Sequence, residues 1–223
     1  MKLFFGKQLD IVEKIEISVA YLLSLSLVFV IIRALFYQQW TLLFISTITL
    51  LLFYLPVFIA RRLRIHLPVE MEFVIVLFIY AALFLGEIGN YYVTFWWWDL
   101  LMHTFSGVGF GFMGFIILYT LYTYQRVETS PTLIALFSFC FAVAIGAVWE
   151  IFEFSMDNVW GLNMQKSGLV DTMTDLIINS IGAFLTSLTG FLYIRGERNQ
   201  LFARLIRKFI EKNPQFFRPD SRL

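Results

Sequence analysis

Long apolar runs broken by short polar stretches make up most of the chain, and the runs set its architecture. Six stand out, at about residues 15–36, 41–60, 70–88, 99–124, 131–155 and 172–194. Each comes near or exceeds the ~18–20 apolar residues that a helix needs to cross a ~30 Å hydrocarbon core. In lipid the backbone must satisfy its own hydrogen bonds within the segment, which a helix does. The expected fold is therefore all-α, a polytopic membrane helical bundle of about six transmembrane helices. The breaks leave no room for a separate soluble domain, so residues 1–223 read as a single membrane domain. The first run follows the charged stretch KQLDIVEKIE and has no small-residue cleavage site after it, which predicts a retained span rather than a signal peptide.

Composition agrees with the pattern. Hydrophobic residues are 59% of the chain and charged ones 15%, against roughly 45–50% and 25% in a soluble domain. A net charge of +1 gives no argument for a nucleic-acid partner. Cys140 is the one cysteine, which excludes an intrachain disulfide and any multi-cysteine metal site.

Charge does change the picture once it is placed on the spans. Six spans put the N-terminus, the breaks after spans two and four, and the C-terminus on one side; 15 of the 17 Lys and Arg residues lie there, and only Arg33 and Lys166 lie opposite. The positive-inside rule then predicts that both termini are cytoplasmic. The tail, about 199–212, reads LFARLIRKFIEK over its centre, with apolar residues at 201, 202, 205, 206, 209 and 210. That spacing predicts an amphipathic helix, lying either on the cytoplasmic leaflet or packed on the ends of the bundle.

The acids gather at the other end. Span three ends at Glu87, span four opens with Asp99 and His103, span five closes with Glu150, Glu153 and Asp157, and span six opens with Asp171, Asp175 and Asn179. Residues three, four and seven apart share a helix face, so three helices each carry a polar stripe at the same depth. An Asp at a helix centre costs roughly 2.5–3.5 kcal/mol on insertion scales, which predicts that the stripes face one another. Glu87 also reads as a solvated interfacial residue, and Asp157 and Asp171 as helix-terminal acids. For Asp99, His103, Glu150, Glu153 and Asp175 the bland alternative is a buried network that only fixes packing.

So many carboxylates cannot all stay ionised without a counter-charge, which protons or cations must supply. An imidazole among carboxylates and the Asn179 amide suits a divalent metal ion: Mg²⁺, Mn²⁺, Ca²⁺ or Zn²⁺. The expected metal set is Asp99, His103, Glu150, Asp171, Asp175 and Asn179, with Glu150, Glu153 and His103 as catalytic candidates and Glu87 and Asp157 as secondary ones. The first function this implies is a metal-dependent membrane hydrolase or transferase. It would act on a lipid or lipid-linked substrate at the outer leaflet, with Glu153 as general base on a metal-bound water. A proton- or cation-coupled transporter is the alternative, and a non-catalytic membrane partner with a structural acidic cavity the third.

Other patterns are less specific. SGVGFGFMG sets glycines on one face, the small-xxx-small spacing of closely packed membrane helices. Trp96, Trp97, Trp98, Tyr91 and Tyr92 read as an interfacial aromatic belt. GEIGNYY followed by DLLMHTFSG is echoed by WEIFEF followed by DLIINSIGA, so that residues 70–195 form the expected functional core.

The blocks WWWDLLMHTFSG, WEIFEFSMD and QKSGLVDTMTDLIINSIGA, in this order, resemble the YjdF-type family of uncharacterised bacterial inner-membrane proteins. The resemblance implies a polytopic fold in the inner membrane and no particular reaction. More distantly, the chain is similar to the VanZ-like membrane proteins, associated with glycopeptide resistance, which also show Asp-x-x-x-His, a Glu-bearing helix, and Asp-x-x-x-Asn with Gly; here WEIFEF stands where Glu-x-x-Gln is expected.

Overall fold

The computed structural model describes residues 10–123, 125–161, 163–196 and 200–216. Lys2, Lys7, Arg198, Arg218 and Arg222 of the charge count, and Asn199 at the start of the expected tail helix, lie outside these. The described residues are helical, without strands, and six helices are long and apolar enough to cross a membrane. They are α1 (Ile11–Phe36), α2 (Trp40–Arg62), α3 (Val69–Ile79) running on as a π-helix (Tyr80–Ile88), α5 (Trp98–Thr123), α6 (Pro131–Trp160) and α7 (Leu169–Ile194). The short α4 (Tyr91–Thr94) precedes α5, and α8 (Gln200–Lys212) follows α7.

All six expected spans are present, and the helices overrun the apolar runs where caps and charges allow. The first begins before residue 15 because Asp10 and Glu13 close a capping box around its first turn. α6 continues past residue 155 to Gly161, whose φ of 65° ends it in the left-handed conformation. Hydropathy marks where a helix is dry; capping marks where it stops. Large side chains such as Phe29 (66% exposed) and Phe58 (67%) face outward, which only a lipid surrounding makes favourable.

The chain divides into two compact units, residues 1–95 and 96–223. In the first, Leu27 from α1, Phe53 from α2 and Val76 from α3 form an apolar core, with Ala20, Leu23, Leu50, Tyr80 and Phe84 packed on it. Hydroxyl pairs tie its helices: Ser24 Oγ and Tyr54 OH are 2.7 Å apart, Ser26 Oγ and Tyr80 OH 3.1 Å.

The second unit is built on small residues. The buried face of α6 repeats every fourth position as Ile134, Ser138, Ala142, Gly146 and Glu150. On α5 it is His103, Gly107, Gly111 and Gly114; on α7 it is Asp175, Asn179, Gly182, Ala183, Thr186, Ser187 and Gly190. α5 and α7 meet reciprocally. A Cβ on Gly107 would collide with the Asn179 carbonyl oxygen and crowd the Ala183 N–H, while one on Gly182 would sit 2.6 Å from the Thr104 carbonyl and 3.2 Å from the Val108 nitrogen. Each glycine thus seats over one backbone hydrogen bond of the other helix, an approach that no larger residue permits. Ser138 Oγ donates across to the Gly111 carbonyl at 2.6 Å.

α8 settles between its two expected places. Phe202, Ala203, Ile206 and Phe209 are buried, and the Phe202 ring lies 5.2 Å from Phe112 and 5.3 Å from Phe115 of α5. Its apolar face therefore packs on the bundle, leaving Arg204 and Arg207 exposed.

Candidate metal centre

Where α5 and α7 begin and α6 ends, their polar stripes converge on His103. The imidazole is 7% exposed. Its Nε2 lies 3.5 Å from Asp99 Oδ1, one turn back on α5, and 3.8 Å from Asp175 Oδ2 on α7; its Nδ1 lies 3.9 Å from Glu150 Oε1 on α6. These separations exceed the 2.7–3.2 Å of ordinary hydrogen bonds. Glu150 is 5% exposed, and among the described residues no donor meets its carboxylate oxygens at full hydrogen-bond geometry.

One ligand atom each from Asp99, His103 and Asp175 lies within 4.8 Å of the others, close enough to hold a metal ion. Ligands about 2.1 Å from Zn²⁺ or Mg²⁺ are at most roughly 4.2 Å apart, and about 4.8 Å around Ca²⁺. The group therefore fits within the span of a Ca²⁺ shell, and the two imidazole–carboxylate separations fall within that of a smaller ion as well. Both aspartates face Nε2, and Nδ1 is turned toward Glu150.

The remaining candidates fall around this group. Asn179, 1% exposed, donates from Nδ2 to Ser106 Oγ at 2.9 Å, and that hydroxyl donates to the His103 carbonyl at 3.0 Å. Its place is beneath the histidine, bracing α5, and Gly146 makes room for its amide, since a Cβ there would lie 2.7 Å from Asn179 Oδ1. Glu153 is half-buried one turn beyond Glu150 and accepts from Trp149 Nε1 at 2.9 Å. Asp171 is half-buried in the first turn of α7, outside the three-residue group. Asp157 is committed elsewhere: its carboxylate accepts from the backbone N–H groups of Met164 and Gln165, holding the loop after α6. Glu87 lies in the π-helix of the first unit.

Two features of the site are not apparent from helix spacing. Lys166, in the α6–α7 loop, places Nζ 2.9 Å from Asp99 Oδ2; its being the one base near the acids in the sequence was the available signal. Gly146 was foreshadowed only by the four-residue repeat of small residues leading up to Glu150. An open apolar groove of about 520 Å³, lined by Phe139 and by Met173, Leu176, Ile177, Ser180, Ile181 and Phe184, is not part of the centre. At 100° per residue its α7 lining lies roughly 150° around the helix from the Asp175 and Asn179 stripe, on the side turned to lipid.

The chain is 26% identical over 180 residues to an uncharacterised protein of Thermotoga maritima, an alignment covering 77% of this chain and 86% of that one. No solved structure matches. The model of the predicted membrane protein family DUF2238 matches residues 15–196, a stretch that takes in all three helices of the centre and most of the first unit; the chain belongs to that family.

Proposed function

We propose that the protein is a membrane-embedded, metal-dependent hydrolase or transferase acting on a lipid or lipid-linked substrate at the outer leaflet. The observation that carries this is the open spacing around His103. A purely structural polar network in a membrane closes its hydrogen bonds, whereas here three carboxylates stand 3.5–3.9 Å from one imidazole, beyond the ~3.2 Å of an ordinary hydrogen bond. In this reading Asp99, His103 Nε2 and Asp175 hold one divalent ion, Mg²⁺, Mn²⁺, Ca²⁺ or Zn²⁺, and Asp171 borders it. Glu150 positions the histidine rather than ligating. A bound ion supplies Lewis acidity toward a phosphoryl or carbonyl oxygen and acidifies a coordinated water. Glu153, the next carboxylate along α6, takes the role of base.

Two further supports come from placement. The 15 to 2 division of basic residues favours an outward-facing centre and cytoplasmic termini, and the motif resemblance to YjdF-type proteins favours a bacterial inner membrane. Inward of Asn179, α5, α6 and α7 carry no titratable Asp, Glu, His, Lys or Arg among the described residues. Ser138 and Ser187 there donate to backbone carbonyls. A transport path would need relay groups in that region, so the enzyme is favoured over the transporter.

The test is metal content of the purified protein, compared with Asp175→Ala and Glu150→Ala. About one equivalent in the wild type, near zero in Asp175→Ala and weakened retention in Glu150→Ala are expected. A wild type that binds no divalent ion, with both variants unchanged in stability, sinks the reading and leaves a structural cavity.

A further inference from the structure

We infer that Lys166 makes this centre selective for a substrate bearing a phosphoryl group; the inference rests on the metal-centre reading above and names the substrate class for it. Lys166 belongs to the loop 161–168, whose backbone is set by its own sequence. Gly161, Asn163 and Gly168 all take positive φ, at 65°, 58° and 65°, conformations open to glycine and tolerated by asparagine. The Asp157 carboxylate accepts from the N–H groups of Met164 and Gln165, and Gln165 Nε2 donates to Thr172 Oγ1 at 2.6 Å. The residue next to Lys166 is thus tied to α6 on one side and to α7 on the other. This explains why Asp157, an acid at the rim, is spent on a loop: it delivers the lysine to the centre.

Asp99 stands between the lysine and the proposed ion. Its Oδ1 faces His103 Nε2 at 3.5 Å and its Oδ2 accepts from Lys166 Nζ at 2.9 Å. One carboxylate therefore separates an ammonium from the place of a divalent cation. The ammonium and the proposed ion thus lie against opposite oxygens of one aspartate, so that a single anionic group at the rim can touch both. A phosphoryl group can put one oxygen on the ion and another on the ammonium, the usual way a lysine meets phosphate. A neutral ester carbonyl has one oxygen for the ion and none for the lysine. The Lys166 side chain is 35% exposed, so it can be reached from outside the bundle.

Full-length protein in detergent, titrated with Mn²⁺ alone and then with dihexanoyl phosphatidic acid, tests this by electron paramagnetic resonance of free Mn²⁺. The lipid phosphate is expected to tighten Mn²⁺ binding about tenfold in the wild type, within the usual range of coupling between sites. In Lys166→Gln, Mn²⁺ alone should bind as tightly or more so, since a competing ammonium is gone, while the enhancement falls below about twofold. Opposite shifts of this kind exclude misfolding as the cause. Lys166→Arg should keep part of the enhancement. Inorganic phosphate acting as well as the lipid assigns the phosphoryl group to a soluble source. Equal enhancement in Lys166→Gln and the wild type, equal enhancement by decanoate, or no enhancement in a wild type that binds Mn²⁺ overturns the inference alone. No Mn²⁺ uptake at all overturns the metal centre and this inference with it.

Discussion

The two units of this chain bring their spanning helices together differently. In the first, Leu27, Phe53 and Val76 pack against one another; in the second, glycine, alanine and serine line the closest contacts of α5, α6 and α7, beside the buried Phe115 and Ile134, and at one end lie His103, Glu150, Asp175 and Asn179. Lipid offers no hydrophobic drive between helices, so close packing and polar contacts must hold them. Bulky side chains meet that need by interdigitation, which holds backbones apart and leaves no room for a cavity of polar groups. Small residues meet it by letting backbones touch. Gly107 over the Asn179 carbonyl and Gly182 over the Thr104 carbonyl fix α5 and α7 at a separation that sets Asp99, His103 and Asp175 within reach of one ion. In the proposed metal centre the small-residue contacts would position the ligands, while the packing of Leu27, Phe53 and Val76 would bear on stability.

Gly107→Leu should break that distinction most severely. Overpacking costs about 1–3 kcal/mol where side chains can yield, but here the obstacle is backbone, and α5 must leave α7. Loss of metal binding together with a lower thermal unfolding midpoint is expected, followed by metal analysis and tryptophan fluorescence. A Gly107→Leu protein with wild-type metal affinity would show that the ligands do not depend on this contact. Glu150→Gln comes next. It removes the charge facing His103 Nδ1 while keeping shape, and losing such an outer partner lowers metal affinity by about 10–100-fold. Unchanged affinity in a calorimetric Mn²⁺ titration would place Glu150 outside the centre's function. Phe53→Ala, in the other unit, should do the reverse. In soluble cores such a truncation costs about 3–5 kcal/mol, but in lipid only the packing part is lost, so about 1–2 kcal/mol is expected, with metal affinity untouched. A metal defect in Phe53→Ala would contradict the division of labour.

How much of this was legible beforehand follows the same division. Helix existence, number and the depth of the acids follow from apolar run length and i, i+4 spacing, which are local. The convergence on His103 was legible because three stripes of one depth in lipid have nowhere else to go. Roles were not. Asp157, one turn beyond Glu153, read as a helix-terminal acid or a secondary candidate; its carboxylate accepts from two loop N–H groups, a contact set by the positive φ of Gly161 and Asn163 rather than by periodicity. Which imidazole nitrogen meets which carboxylate, and hence the separation of Glu150 from the Asp99 and Asp175 pair, depends on ring orientation, which spacing does not carry. The place of α8 was open for a related reason: an amphipathic face fits lipid and protein equally until Phe112 and Phe115 are seen beneath Phe202.

The smallest effect is the sharpest probe of what joins the helices of the second unit. Ser138 is fully buried and its hydroxyl donates to the Gly111 carbonyl of α5 at 2.6 Å. Hydrogen bonds between membrane helices contribute about 0.6 kcal/mol on average and seldom more than ~1.7. Alanine keeps the small volume that lets α5 and α6 approach and deletes only the bond. If closeness is what positions the ligands, Ser138→Ala should lose about 0.6 kcal/mol of stability and none of its metal affinity, whereas Ser138→Leu, which adds bulk at the same point, should lose both. A Ser138→Ala protein that loses its metal would assign the joint to the hydroxyl rather than to size. The two units would then differ less than their cores suggest, since the first is tied by the Ser24–Tyr54 and Ser26–Tyr80 pairs in the same way.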